Sequence, residues 1–289
     1  MENGDNDINQ KIAIINNKND DIKDIDNKND NIKDIDNKNI KIKKEFYDLI
    51  ISINVHKDIN FLVKQLENID KYVKLKYLVI LNCNKLMAKK FKKHRKLFKN
   101  FSVIIHPKPF NKKKGTGTLL KGIFMNLTYS KITYNFNYFL ILTSRTIFYN
   151  ILNKENIKHI KKKKKRNTKI GRQFYVKNNK LIDHIKKRKG YYSSGASAGI
   201  VLNKKNYTTV INFLTKYPNI RDNLFSLNVI AEEFALQTIC INYCKYYFYI
   251  GNGIKKISNI KDLNKLRKKG NFVCKIKTKI CYFKVLNLV

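Results

Sequence analysis

Short uninterrupted apolar runs punctuate this chain, and most are followed by stretches with helical periodicity. Leu49-Ile50-Ile51-Ser52-Ile53-Asn54-Val55 has the composition of a strand buried on both faces. From about Ile59 to Val73 the spacing predicts a helix, with Phe61, Leu62, Leu66 and Ile69 on one side. Tyr77 to Leu81 predicts a second buried strand, ending at Asn82-Cys83-Asn84. A helix over Lys85 to Phe98, a strand over Phe101 to Ile105, a helix over Leu119 to Leu127 and a strand over Tyr138 to Leu142 follow. Ile200 to Leu202, Tyr246 to Ile250 and Phe272 to Ile276 read as later extended pieces. Strands alternating with helices imply an α/β fold with right-handed crossovers and a mostly parallel sheet. Ligands then bind beyond the carboxyl ends of the strands. That places Asn54 to His56, Asn82 to Lys85 and His106 to Gly117 on one rim.

Residues 1–44 differ from the rest. Asn17 to Asp26 recurs almost unchanged as Asn27 to Asp36, and a third copy starts at Asn37. This Asn/Asp/Lys-rich decapeptide repeat carries isolated Ile and buries too little to offset chain entropy, so a disordered tail or spacer is expected. Residues 45–289 are expected to form the globular domain. No apolar run approaches the ~20 residues of a membrane span. The polar, acidic N-terminus has no signal-type stretch, so a cytoplasmic chain without membrane anchor is expected.

The net charge of +40 invites a nucleic-acid partner. Lys, Asn, Ile, Tyr and Phe abound together while Arg is rare, a pattern that A/T-rich codons produce on any tolerant surface. Base reading leans on bidentate Arg, so no nucleic-acid partner is expected. Five cysteines form no Cys-x-x-Cys pair, and five histidines are scattered singly. Reduced core thiols are expected, with no zinc site and no other metal.

Against this basic background, Glu232 and Glu233 stand out. From Glu45 onward there are 11 acidic residues against 52 basic ones. Ile230 to Ile239 sets the adjacent pair in an apolar, helix-period segment, where Glu233 would share a face with Gln237 and Glu232 with Leu236. A carboxylate in apolar surroundings has a raised pKa and suits general-base work near neutrality. The alternative is a pair of surface glutamates favoured by a helix dipole. Lys112-Lys113-Lys114-Gly115-Thr116-Gly117-Thr118 either cradles phosphate through backbone N–H groups or is a solvated loop with a helix cap. Ser193 to Gly199 permits close backbone approach, to a ligand or to a neighbouring strand.

Taken in order, six pieces resemble the core-2/I-branching glycosyltransferase family, which includes peptide xylosyltransferases. They are Ile53-Asn54-Val55-His56, Asn82-Cys83-Asn84-Lys85, Leu142-Thr143-Ser144-Arg145, Gly195 to Leu202, Glu232 to Thr238, and Phe272-Val273-Cys274-Lys275-Ile276. The resemblance spans roughly Phe46 to Ile276. It implies a GT-A-like fold and inverting, metal-independent transfer from a UDP-sugar, with GlcNAc or xylose the first sugars to expect. The acceptor would be a hydroxyl of a glycan or glycoprotein. Carried over, Glu233 is the general base. Lys275 and Lys245 hold the diphosphate. Asn54, His56, Asn84 and Thr116 line the nucleotide-sugar side, and Ser144, Arg145 and Glu232 the acceptor side. Asn84 departs from the family's Asp. The chain also lacks the family's membrane anchor and has too few Cys for its disulfides. No Asp-x-Asp pair occurs beyond residue 44, so lysines rather than a cation would steady the leaving diphosphate. Two other classes are set against this: a basic nucleic-acid binder, and an inactive protein on a transferase fold.

Overall fold

Strand β1 (Phe46–Asn54) is buried without interruption from residue 49 onward. Such a run needs cover on both faces of its sheet, and the chain supplies it. The computed structural model describes residues 44–55, 59–113, 115–160, 162–164, 178–255, 260–268 and 272–276. The decapeptide repeat, His56 and Cys281 lie outside the described residues.

Helix α1 (Ile59–Tyr72) turns Phe61, Leu62, Leu66 and Ile69 onto the sheet, as its spacing requires. A short β2 (Val73–Lys74) leads to β3 (Tyr77–Asn82), whose residues are all buried. Helix α2 (Lys85–Lys93) starts at Asn84, whose side chain accepts a hydrogen bond from Met87 N at 2.8 Å. The expected helix to Phe98 ends earlier. After His94 the chain tightens into a 3-10 turn, Arg95–Phe98, with Phe98 stacked on Phe91. β4 (Val103–Ile105) follows. Helix α3 (Thr118–Thr133) extends six residues past the expected Leu127, and β5 (Asn135–Thr143) continues from it. Asn84→Ala removes a cap and should cost about 1 kcal/mol in urea unfolding, with unchanged m.

Beyond β5 come β6 (Thr146–Phe148), β7 (Leu152–Asn153), α4 (Lys154–Lys158) and β8 (Lys162–Lys163). Part of the lysine run at 161–166 is thus an exposed edge strand rather than a loop. Helix α5 (Lys180–Lys187), β9 (Ile200–Asn203), α6 (Lys204–Lys216), α7 (Pro218–Ser226) and α8 (Ala235–Cys244) follow. The chain then forms β10 (Tyr247–Tyr249), β11 (Gly251–Lys255), α9 (Ile260–Arg267) and β12 (Val273–Ile276).

Among the described residues, seven strands form the central sheet in the order β4-β3-β1-β5-β9-β10-β8. β4, β3, β1 and β5 are parallel, with Ile50 opposite Leu78 on one side and Phe139 on the other. β9 enters antiparallel to β5, and β10 antiparallel to β9. β10 therefore shares the direction of β5, so the sheet is mostly parallel. Leu49, Ile51 and Ile53 of β1 face one core, with α1 and α2. Ile50 faces the other, with α3, α5, α6, α7 and α8. Asn126 of α3 donates to Ser52 Oγ at 2.9 Å and Ile80 O at 3.0 Å, which ties that helix across β1 and β3. A smaller sheet, β11-β12-β6, continues from the tip of β5. Cys83, Cys240 and Cys244 are buried free thiols, and Cys274 is buried as well. Among the described residues no single helix is long and apolar enough to cross a membrane.

Candidate functional site

β1 has β3 on one side and β5 on the other, so the order in which the strands are laid down reverses at β1. A crevice opens at such a reversal, beyond the carboxyl ends of the strands. Three loops come together at this edge. The first is the β5–β6 turn. Gln65 Nε2 donates to Thr143 O at 2.8 Å and Thr146 O at 3.1 Å, while Asn68 brackets Phe148 through both its N–H and C=O. Two buried polar residues of α1 therefore hold Ser144 and Arg145, both half-buried, at the tip of β5. The family pattern pointed to this turn but not to the residues that fix it.

The second loop is the small-residue segment. α8 carries it like a rail. Asn242 brackets Tyr191, Thr238 brackets Ser193, and Gln237 Nε2 donates to Gly195 O at 3.0 Å. The segment then turns at Gly199, whose N–H donates to Ile141 O at 2.8 Å and whose C=O accepts from Ile250 N at 2.9 Å. A Cβ at Gly199 would lie 2.7 Å from Gly251 N. Of the two readings of these small residues, close approach to a neighbouring segment is the one realised here.

The third is the acid turn, and it differs from the expected helix. Ala231–Glu233 is a 3-10 turn, and Phe234 leaves helical geometry before α8 begins. Glu233 and Gln237 therefore do not lie on one continuous helical face. They meet through Gly195 instead: its N–H donates to Glu233 O at 2.9 Å and its C=O accepts from Gln237. Phe234, 2 % exposed and packed in the core, sits at this break in the helix. Glu232 is buried at 5 % exposure, which removes it from acceptor contact. Glu233 is half-buried and belongs to the edge that holds Gly195.

The remaining expected residues separate. Asn54 ends β1 and is buried, donating through Nδ2 to Leu119 O at 2.9 Å. Asn84 spends its side-chain oxygen on the α2 cap. Thr116 is buried and bonded within its own loop, to Lys113 O and Thr118 Oγ1. The Gly117 N–H donates to Leu227 O at 2.8 Å and the Leu119 N–H to Thr116 O, so this turn caps a helix rather than cradling phosphate. Lys245 caps the far end of α8 in left-handed geometry, and neighbouring Cys244 contacts Lys205 O, just past the end of β9. That is the amino edge of the parallel strands, so Lys245 does not join the site. Lys275 pairs with Thr146 in the β12–β6 ladder, which brings its backbone level with the tip of β5; its side chain lies outside the described residues. Among the described residues no three His, Cys, Asp or Glu side chains gather as a metal site.

No protein-family model matches this chain, and no curated protein matches it.

One group escaped the sequence reading. Lys112, one of three consecutive lysines, folds inward. Its Nζ lies 2.5 Å from Asn82 Oδ1 and 5.2 Å from the Phe110 ring centre. Burial brings its ammonium down to about 7, opposed in part by the neighbouring Cys83 thiol. Nothing in the run Lys112-Lys113-Lys114 marks which lysine turns in. Asn82, a polar residue closing an apolar strand, was the available signal.

The depressed value has a sign. Between about pH 7 and 10.5 the unfolded chain binds the proton that folded Lys112 has lost, so this group makes stability rise with pH across that window. Below pH 7 its burial cost is fully present. Measured by urea unfolding, the parent should gain about 2 kcal/mol on Lys112→Met between pH 7 and 10. A constant gap would remove the assignment.

Proposed function

We propose that this chain is a glycosyltransferase, moving a sugar from a UDP-sugar to a hydroxyl of a glycan or glycoprotein with inversion and without a divalent cation. The fold behind this reading is a GT-A-like nucleotide-sugar domain. The observation that carries it is the position of the acid turn. Glu233 is half-buried and hydrogen-bonded through its backbone to Gly195, at the carboxyl edge where β5 and β9 meet. A carboxylate in that place accepts the proton of an acceptor hydroxyl. The hydroxyl oxygen bonds to the anomeric carbon as the bond from that carbon to the diphosphate oxygen breaks.

The departing diphosphate carries the developing charge, and fixed cations lower the barrier by holding it. Lys245 lies at the opposite edge, so this duty passes to groups near the β5 tip. Lys275, whose backbone pairs with Thr146, supports this assignment. Ser144 and Arg145 of the rigid β5–β6 turn border the same crevice and suit acceptor contact.

The test is turnover of UDP-GlcNAc, UDP-xylose, UDP-glucose and UDP-galactose with a panel of glycan acceptors, in EDTA and in Mn²⁺. Equal rates in both, with inverted product, support the proposal. Melting-point increases with UDP but no turnover on any donor would assign the chain to inactive relatives of such enzymes.

A further inference from the structure

We propose that the carboxyl end of β3 carries a binding site for a phosphate-type oxyanion, built from the Lys112 ammonium and the Asn82 side-chain amide. The site does not rest on the sugar-transfer reading and would serve any phosphorylated ligand.

The geometry begins with Asn82, which is fully buried. Its Oδ1 accepts from Lys112 Nζ, while its Nδ2 has no acceptor among the described residues. A buried amide donor without an acceptor is costly, and a bound oxyanion would satisfy it. Asn54 completes the arrangement. Its buried Oδ1 likewise has no donor among the described residues, and it lies against Gly122 beside the Lys112 stem. Any Cβ at Gly122 would collide with that oxygen and come within 3.3 Å of Lys112 Cδ. The site thus offers donors for an anion and, next to them, an acceptor for a hydroxyl or N–H on the same ligand.

The charges agree. Lys112 and Lys121 both sit over the Phe110 ring, at 5.2 and 5.3 Å. Among the described residues, the titratable groups within electrostatic reach of Lys112 are the Cys83 thiol from the end of β3 and His106 from the end of β4, and Lys108 acts on His106 in turn. Burial pushes the Cys83 thiol up and His106 down, so both are neutral near pH 7. Asp222 of α7 lies within electrostatic reach of Lys121 but is paired with Arg221 at 2.8 Å. Among the described residues the buried amine therefore has no carboxylate beside it, and an incoming oxyanion supplies the counter-charge and restores its proton.

The test is competitive acetylation of the full chain with limiting acetic anhydride at pH 7.5, read lysine by lysine by mass spectrometry. Inorganic pyrophosphate should lower labelling of Lys112 about fivefold, while exposed Lys85 and Lys89 change less than about twofold. Asn82→Asp hands Lys112 an internal carboxylate of the same shape and should abolish the pyrophosphate effect. Protection by UDP at lower concentration than by pyrophosphate would assign a nucleotide-type ligand that also uses Asn54. Equal concentrations would assign the oxyanion alone. Uniform protection of all lysines, or undiminished protection in Asn82→Asp, overturns the site. Protection without sugar transfer leaves the site standing and removes the transferase reading; transfer without protection does the reverse.

Discussion

On the proposed reading, Glu233→Gln should lower sugar transfer by about a hundred- to ten-thousand-fold, the usual contribution of a positioned general base. The substitution keeps the shape and removes only the proton acceptor. The loop contact should survive it, because the hydrogen bond from Gly195 is accepted by the Glu233 backbone carbonyl. The loss should fall on kcat, with little change in UDP binding, since the base meets the acceptor rather than the nucleotide. Glu232→Gln is the comparison: its side chain is buried at 5 % exposure, so its effect belongs to unfolding curves and not to the pH–rate profile. Initial rates at saturating donor, with and without EDTA, separate these outcomes. A Glu233→Gln protein at the parental rate takes the acid turn out of the chemistry.

Gly199→Ala should be the most damaging small substitution in the described sheet, at about 3 kcal/mol by urea unfolding. Two costs add. Gly199 has φ of +96°, in the region that an L side chain resists. Its new methyl would also stand 2.7 Å from Gly251 N and 2.8 Å from Gly251 Cα. The Gly251 backbone cannot step aside as a flexible side chain would. Gly199 also ties Ile141 of β5 to Ile250, between β10 and β11. Relief by backbone movement would therefore loosen the small-residue loop that Glu233 holds. A midpoint shift of less than about 1 kcal/mol would mean that this junction yields more easily than its contacts imply.

The first half of the fold was legible because its elements obey one period each. Leu49 to Ile53 and Tyr77 to Leu81 have no polar alternation and became central strands buried on both faces. Phe61, Leu62, Leu66 and Ile69 repeat at helical spacing and became the inner face of α1. No helix is read over residues 180–187 or 204–226, yet they hold α5, α6 and α7. Lysine and asparagine crowd these segments, and in α6 the polar Asn206 and Tyr207 themselves turn inward and blur the apolar stripe. The acid segment misled for a different cause: periodicity continues through Ile230 to Ile239, but the chain takes a tighter turn at its start, where Phe234 is buried. Thr238 and Gln237 were visible in the motif, but their bracketing of Ser193 and Gly195 was not, since those partners lie 42 and 45 residues away in the chain.

By itself the sequence determined the alternation of strands and helices, hence a mostly parallel α/β sheet, because hydrophobic period and chain connectivity are local properties. Tertiary structure alone decided which polar residues meet there. It carried Lys245 to the opposite edge, buried Glu232, left Glu233 at the rim, and chose Lys112 from three identical neighbours to bond Asn82. Those outcomes depend on which side chain the packed core displaces and which it admits, and no local period encodes that.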